Sequence, residues 1–318
     1  MWIIKGNLRI LMNKKRFIVL FFAVILNLNS TVFSQSKEWV EYLKLQDSAI
    51  HLYNSKKYNE AKIFYGKMWS IKNKFYYKYD LYWYVCCMAY TRDTIEIEPY
   101  LLELVQENGF EYKYISESGV YELLHTQPYW NKIDSIAKIN DNNKNYTFID
   151  SLAVMAKADQ DIRLVRESAR KDTTVTKQEI DSILYLMLDI DAINVAKLKE
   201  LIALYGFPTW RLVGWEGAEN AWLIAQHSPI DFREYYLEQY EQAVEDNNAS
   251  IKRYAFLIDR VRLLRGMPQL YGTQWVVAWS KLQFVEDIEH LNDRRETVLL
   301  TPLDLSKITV SDSFPYKY

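Results

Sequence analysis

Chain-breaking residues are scarce in this protein. Glycine and proline together supply 16 of its 318 residues, about half of average usage. A β-sandwich or barrel needs a turn every few residues, and glycine and proline are what make turns cheap. A chain this poor in both is expected to fold into long helices. Its length suggests about two domains as a prior. With 49% hydrophobic and 25% charged residues it has the composition of a chain that buries a core, which excludes a disordered or collagen-like class.

The amino-terminal segment reads as an export signal. Lys5, Arg9, Lys14, Lys15 and Arg16 are basic, and no acidic residue precedes Glu38. Phe17 to Leu26 is an unbroken apolar run, followed by Val32-Phe33-Ser34 as a cleavage site ahead of Gln35. Met12 offers an alternative start. A retained anchor needs about 20 apolar residues, so the expectation is a signal peptide over 1–34, a periplasmic or secreted mature chain, and no membrane span after cleavage. No cysteine follows the run, which argues against lipidation. Removing 1–34 takes away five basic residues and no acidic ones, so the net charge falls from −2 to −7. An acidic exported chain lacks the basic surface that neutralises phosphates, and no nucleic-acid partner is expected. The adjacent Cys86 and Cys87 are expected to be packing residues, since neighbours in sequence reach disulfide geometry only with strain.

Residues 35–137 show a helical repeat. Ala49, Leu52, Tyr58, Ala61, Tyr65 and Met68 are small or apolar, with Ser55-Lys56-Lys57 as the turn between two helices. Shifted by 37, the same positions hold Cys86, Ala89, Ile95, Glu98, Leu102 and Val105, all but Glu98 fitting the pattern. With Lys57-Tyr58-Asn59-Glu60-Ala61, the segment resembles the tetratricopeptide repeat. That resemblance implies a concave surface for a protein or peptide partner. Tyr76, Tyr77, Tyr79, Tyr82, Trp83 and Tyr84 are too dense for one helix to bury. They read either as an aromatic binding groove or, the preferred reading, as an interface with the rest of the chain.

The polar, Asn-rich stretch 138–147 reads as a linker, leaving 148–318 as a second helical domain. There Thr176 and Glu179 have capping-box spacing, and Gly206 and Pro208 stop a helix after Tyr205. Further helical patterns cover Glu216 to His227, Asp231 to Glu245 and Ser250 to Arg265. A small hairpin is expected from Gln274 to Ala278 and Leu282 to Val285. The fold class is therefore mainly α: a short tetratricopeptide-like repeat followed by a helical domain with a small β-hairpin.

On the Glu216–His227 helix, Glu216, Asn220, Leu223 and His227 form one stripe, so a carboxylate and an imidazole share an edge. This suits general acid/base chemistry, although a histidine in the last turn also suits a cap on free carbonyls, which is the preferred reading. No His-x-x-x-His pattern exists, His51, His125 and His290 are scattered, and neither a metal site nor a cofactor is expected.

Gly214-Trp215-Glu216-Gly217-Ala218 and Ala221-Trp222-Leu223-Ile224-Ala225-Gln226-His227 are similar to motifs of the bacterial domain of unknown function 6624 family. So are Leu257-Ile258-Asp259-Arg260-Val261, the run Gly266 to Gln274, and Asn292-Asp293-Arg294-Arg295. The resemblance spans about 150–303 and implies no established activity. The sequence departs from the family at Trp279-Ser280-Lys281, where a glycine turn is expected, and at Leu299-Leu300, where Gly-Leu is more usual.

Two functions follow as expectations. The first is a non-catalytic protein- or peptide-binding and assembly module of the cell envelope. The alternative is an envelope hydrolase with Glu216, His227 and Asp259 as acid/base candidates. Gln269, Tyr271, Thr273, Gln274 and Arg294 are its ligand-binding candidates. A buried structural network of the same residues would give the same pattern, and for Asp259 an ion pair with an arginine is preferred.

Overall fold

The computed structural model describes residues 37–72, 77–107, 109–277 and 281–311. The expected signal peptide, Tyr76, Trp279 and Ser280 lie outside the described residues. The chain is mainly α-helical with one small sheet, and among the described residues no helix is long and apolar enough to cross a membrane.

Helix α1 (Lys37–Asn54) and α2 (Tyr58–Lys72) pair through the expected three-residue turn, which Lys56 makes at φ 59°. Ala49, Ala61, Tyr65 and Met68 are fully buried between them. Helix α3 (Lys78–Tyr90) and α4 (Glu98–Gln106) follow. Here the 37-residue shift holds for Cys86, Ala89 and Val105, all buried, while Ile95 is 83% exposed. Ile95 falls in the turn, and Ile97, fully buried just before α4, takes the apolar position instead. Both cysteines are free and buried. Burial pushes the Cys86 thiol up to about 11 and Cys87 to about 12, so neither is a thiolate nucleophile at neutral pH.

The expected linker needs correction. After the short α5 (Tyr112–Ile115), α6 (Trp130–Asn142) runs on through 138–142, and α7 (Tyr146–Lys171) starts at once, leaving only 143–145 as a turn. The asparagines serve as hydrogen-bonding groups. Asn140 donates to the carbonyls of Val105 and Phe110 at 2.8 and 2.9 Å. The Asn145 side chain caps α7 at Phe148 N, while its own N–H donates to the Leu212 carbonyl at 2.8 Å. A stretch tied down by Asn140, Lys144 and Asn145 is a joint, because these hydrogen bonds would have to break before it could flex.

Helix α8 (Lys177–Tyr205) begins with the expected capping box of Thr176 and Glu179 and ends at Gly206. Helices α7, α8 and α9 (Trp210–His227) surround the second core, built on Phe148, Leu152, Leu198, Val213, Ala221 and Trp222. Helix α9 is kinked at Gly214, φ 69° and ψ 177°. A Cβ there would lie 2.9 Å from Glu111 Oε1, and one on Gly217 would lie 2.8 Å from Val213 Cβ. Both motif glycines are thus demanded by close approach. Helices α10 (Ile230–Glu245) and α11 (Ile251–Leu264) complete this layer, ahead of the short α12 (Leu291–Thr297).

The hairpin forms over β1 (Trp275–Val277) and β2 (Lys281–Leu282), and β3 (Thr309–Val310) adds a parallel edge that local patterning did not suggest. Leu299, where the resemblance led to an expectation of glycine, sits at φ 58°.

The described residues from Lys37 onward form one compact unit. Tyr77 and Tyr79 join its two ends. The Tyr77 hydroxyl donates to the Leu299 carbonyl at 2.6 Å, Lys252 lies over the Tyr77 ring, and Tyr79 meets Trp215 edge-on at 5.3 Å. Tyr82, Trp83 and Tyr84 instead pack among aromatic residues of the first array.

Candidate functional site

The polar residues singled out in the sequence separate into three groups. Glu216 is exposed on α9. Eleven residues at 1.5 Å rise place it about 16 Å along the axis from His227, so the two share an edge without meeting.

Asp259 is fully buried on α11. Its carboxylate accepts from the backbone N–H groups of Leu270, Tyr271 and Thr273 at 2.7–3.2 Å and from the Thr273 hydroxyl at 2.9 Å. Among the described residues no arginine pairs with it directly, contrary to the expected ion pair. Burial raises its pKa, and those donors oppose the rise. Gln269, also fully buried, donates to the carbonyls of Gln274 and Gln283 and accepts from Gln274 N. Arg294 donates to the carbonyls of Leu270 and Asp287, and Arg295 to those of Tyr271 and Thr301. Tyr271 is itself buried, its hydroxyl pushed up to about 12, first by burial. Asp259, Gln269, Thr273 and Arg294 therefore bind the 268–274 loop to its surroundings through hydrogen bonds to other protein groups. Gln274 reaches further. Its Oε1 accepts from Arg260 Nε at 3.2 Å, and Arg260 Nη1 donates to the Gln226 carbonyl at 3.3 Å, one residue before His227.

The third group surrounds His227, whose Nδ1 lies 2.9 and 3.1 Å from the two carboxylate oxygens of Asp159 on α7. The Asp159 side chain is 1% exposed and that of His227 22%. Arg163 bridges Asp159 at 2.9 Å and, through both of its oxygens, Asp191 on α8 at 2.9 Å. Gln160 adds a third donor to Asp159 at 2.6 Å. Burial pushes the Asp159 carboxyl up, but the hydrogen bond and charge of His227, then Gln160 and Arg163, outweigh it and hold it below the usual range. At Asp191 burial wins over Arg163 and the pKa is raised. A carboxylate on Nδ1 places the proton there and turns the basic Nε2 outward, the arrangement of an oriented general base.

Sequence reading missed Asp159, Gln160, Arg163 and Asp191. The available signal was a charge on an apolar stripe: Leu152, Met155, Asp159 and Ile162 share the buried face of α7, as Asp191, Val195 and Leu198 do on α8. Among the described residues, no group of three histidine, cysteine, aspartate or glutamate side chains is placed to share a metal ion.

A separate cleft of about 800 Å³ opens between the first helical array and the later helices. Tyr77, Tyr79, Phe110, Trp210, Trp215 and Lys252 line it. Under its wall the Lys144 ammonium, with its side chain 5% exposed, lies 3.4 Å from Glu111 and donates to the Trp210 carbonyl at 2.8 Å. Burial lowers the Lys144 pKa against the pull of Glu111.

A model of a family described only as of unknown function, DUF6624, matches residues 147–317. No curated protein and no solved structure matches the chain.

Proposed function

The chain belongs to that family of unknown function, and we propose that it is an exported, non-catalytic module of the cell envelope that binds a protein or peptide partner. One observation carries this reading, the cleft of about 800 Å³ with its aromatic lining. Its size is in the range of ligand-binding pockets, and its aromatic faces with a few polar groups suit an extended peptide. Trp215 is 38% exposed beside it, a large apolar surface that a partner would cover. The basic and apolar layout of 1–34 supports export.

A photo-crosslinking residue in place of the exposed, cleft-lining Arg211 should capture a discrete partner in cells. Trp215→Ala should diminish that adduct. Equal labelling from Lys197, exposed on α8 and absent from the cleft lining, would overturn the reading. Export is checked by sequencing the native amino terminus, which should begin near Gln35; an intact Met1 or Met12 would refute it.

The alternative, an envelope hydrolase, draws support from the pairing of His227 with Asp159. In it, His227 acts as base and Asp159 orients it, with Glu216 and Asp259 taking no part. Hydrolysis of envelope glycan or peptide by the purified protein, abolished by His227→Ala while the fold is kept, would favour this reading over the first.

A further inference from the structure

Beside the Asp159–His227 pair, α7 carries a run of basic side chains on one face. Asp159, Arg163, Arg166 and Arg170 are spaced four, three and four residues apart, which places them on a single stripe. Arg163, Arg166, Arg170 and Lys171, with Glu167 and Met187, line a groove of about 300 Å³ between α7 and α8. Two of these cations are neutralised within the protein: Arg163 by Asp159 and Asp191, and Lys171 by Glu167 at 2.6 Å. Among the described residues, Arg166 and Arg170 pair with no carboxylate. Arg166 Nε is moreover buried with no hydrogen-bond partner. A buried donor without an acceptor costs free energy, and native structures keep few of them. An orphan guanidinium donor in a groove with two uncompensated charges has the chemistry to hold an anion.

We infer that the groove between α7 and α8 binds an oxyanion, a carboxylate or phosphate group of a small ligand, held by Arg166 and Arg170. The planar guanidinium fork matches the oxygens of both groups, and charge-assisted hydrogen bonds are the strong ones. The bidentate hold of Asp191 on Arg163 steadies the neighbouring wall of the groove. This inference does not depend on the cleft or on the partner proposed for it.

The test is calorimetric titration of the full mature chain in a chloride buffer of constant ionic strength, with orthophosphate in one series and citrate in another. Saturable single-site binding is expected in at least one series. Phosphate alone would identify a phosphate ligand and citrate alone a carboxylate, while both would define a general oxyanion site. Arg166→Gln and Arg170→Gln should each weaken binding about tenfold or more. Arg166→Lys, which keeps the charge but loses the Nε donor, should also weaken it. Arg265→Gln, a control at an exposed pair with Glu234, should not. Arg170 is exposed, so its variant decides the matter if Arg166→Gln fails to fold. Absence of saturable binding in both series, or binding unchanged by Arg170→Gln, overturns the inference.

Discussion

His227 Nδ1 sits 2.9 Å from Asp159 Oδ1 across 68 residues of sequence. The contact joins the end of α9 to the middle of α7, and Arg163 extends it to α8. One carboxylate thus ties three helices together at a point that still reaches solvent through the imidazole.

That arrangement sets a pH dependence. The folded Asp159 pKa lies below its ordinary value. The stabilisation is therefore complete above about pH 4 and is lost as pH falls through the folded value. Asp159→Asn should cost about 2 kcal/mol at pH 7 and progressively less as pH falls below about 4, read from urea unfolding. A loss that stays constant from pH 7 down to the acid unfolding limit would contradict the assignment.

Asp80 shows the opposite sign. It is 3% exposed, accepting from the Tyr42 hydroxyl at 2.5 Å and from Gln46 at 2.8 Å. Burial nevertheless pushes its pKa up to about 6. The raised value favours the folded state when the group is protonated. Stability from this site is then greatest below about pH 4, declines between about 4 and 6, and is lower by up to about 3 kcal/mol at pH 7. Asp80→Asn, which keeps an acceptor for Tyr42, should be more stable than wild type at pH 7 and flat between pH 4 and 6. A less stable variant at pH 7 would show that the ionised carboxylate is net favourable.

Gly214 and Gly109 both have positive φ, but only Gly214 has a close neighbour. Gly109→Ala should cost about 1 kcal/mol for its backbone alone. Gly214→Ala should cost about 2 kcal/mol or more, because φ 69° with ψ 177° is a region essentially confined to glycine and the new methyl group also meets Glu111, which is paired with Lys144. Equal melting temperatures for the two variants would contradict the greater demand for glycine at 214.

Leu299 carries left-handed backbone with a leucine side chain, φ 58°. The side chain packs against the core of α1 and α2, which explains why a leucine is tolerated there. Leu299→Ala loses packing and keeps the strain. Leu299→Gly loses the same packing and relieves the strain, and it should be the more stable of the two by about 1 kcal/mol. Thermal melting of both variants checks the order.

The sequence determined whatever depends on neighbours within a few residues. The turn at Lys56, the capping box at Thr176, the helix stop at Gly206 and the hairpin pairing of β1 with β2 all follow from what neighbouring residues allow the local backbone to do. The helical class follows too, since a chain with so little glycine and proline has few places to turn. The tertiary structure decided the partners. The 138–147 stretch has a linker's composition but becomes a joint, because Asn140 and Asn145 find carbonyls 30 or more residues away. Asp259, readable as an acid or an ion-pair partner, became the anchor of a loop once three backbone N–H groups converged on it. His227 paired with Asp159 rather than Glu216, because eleven residues of helix hold two side chains on one edge far apart. A different helix, packed alongside, can bring a carboxylate into contact. Periodicity reports which face a residue occupies, and only the packing of one helix on another determines what that face meets.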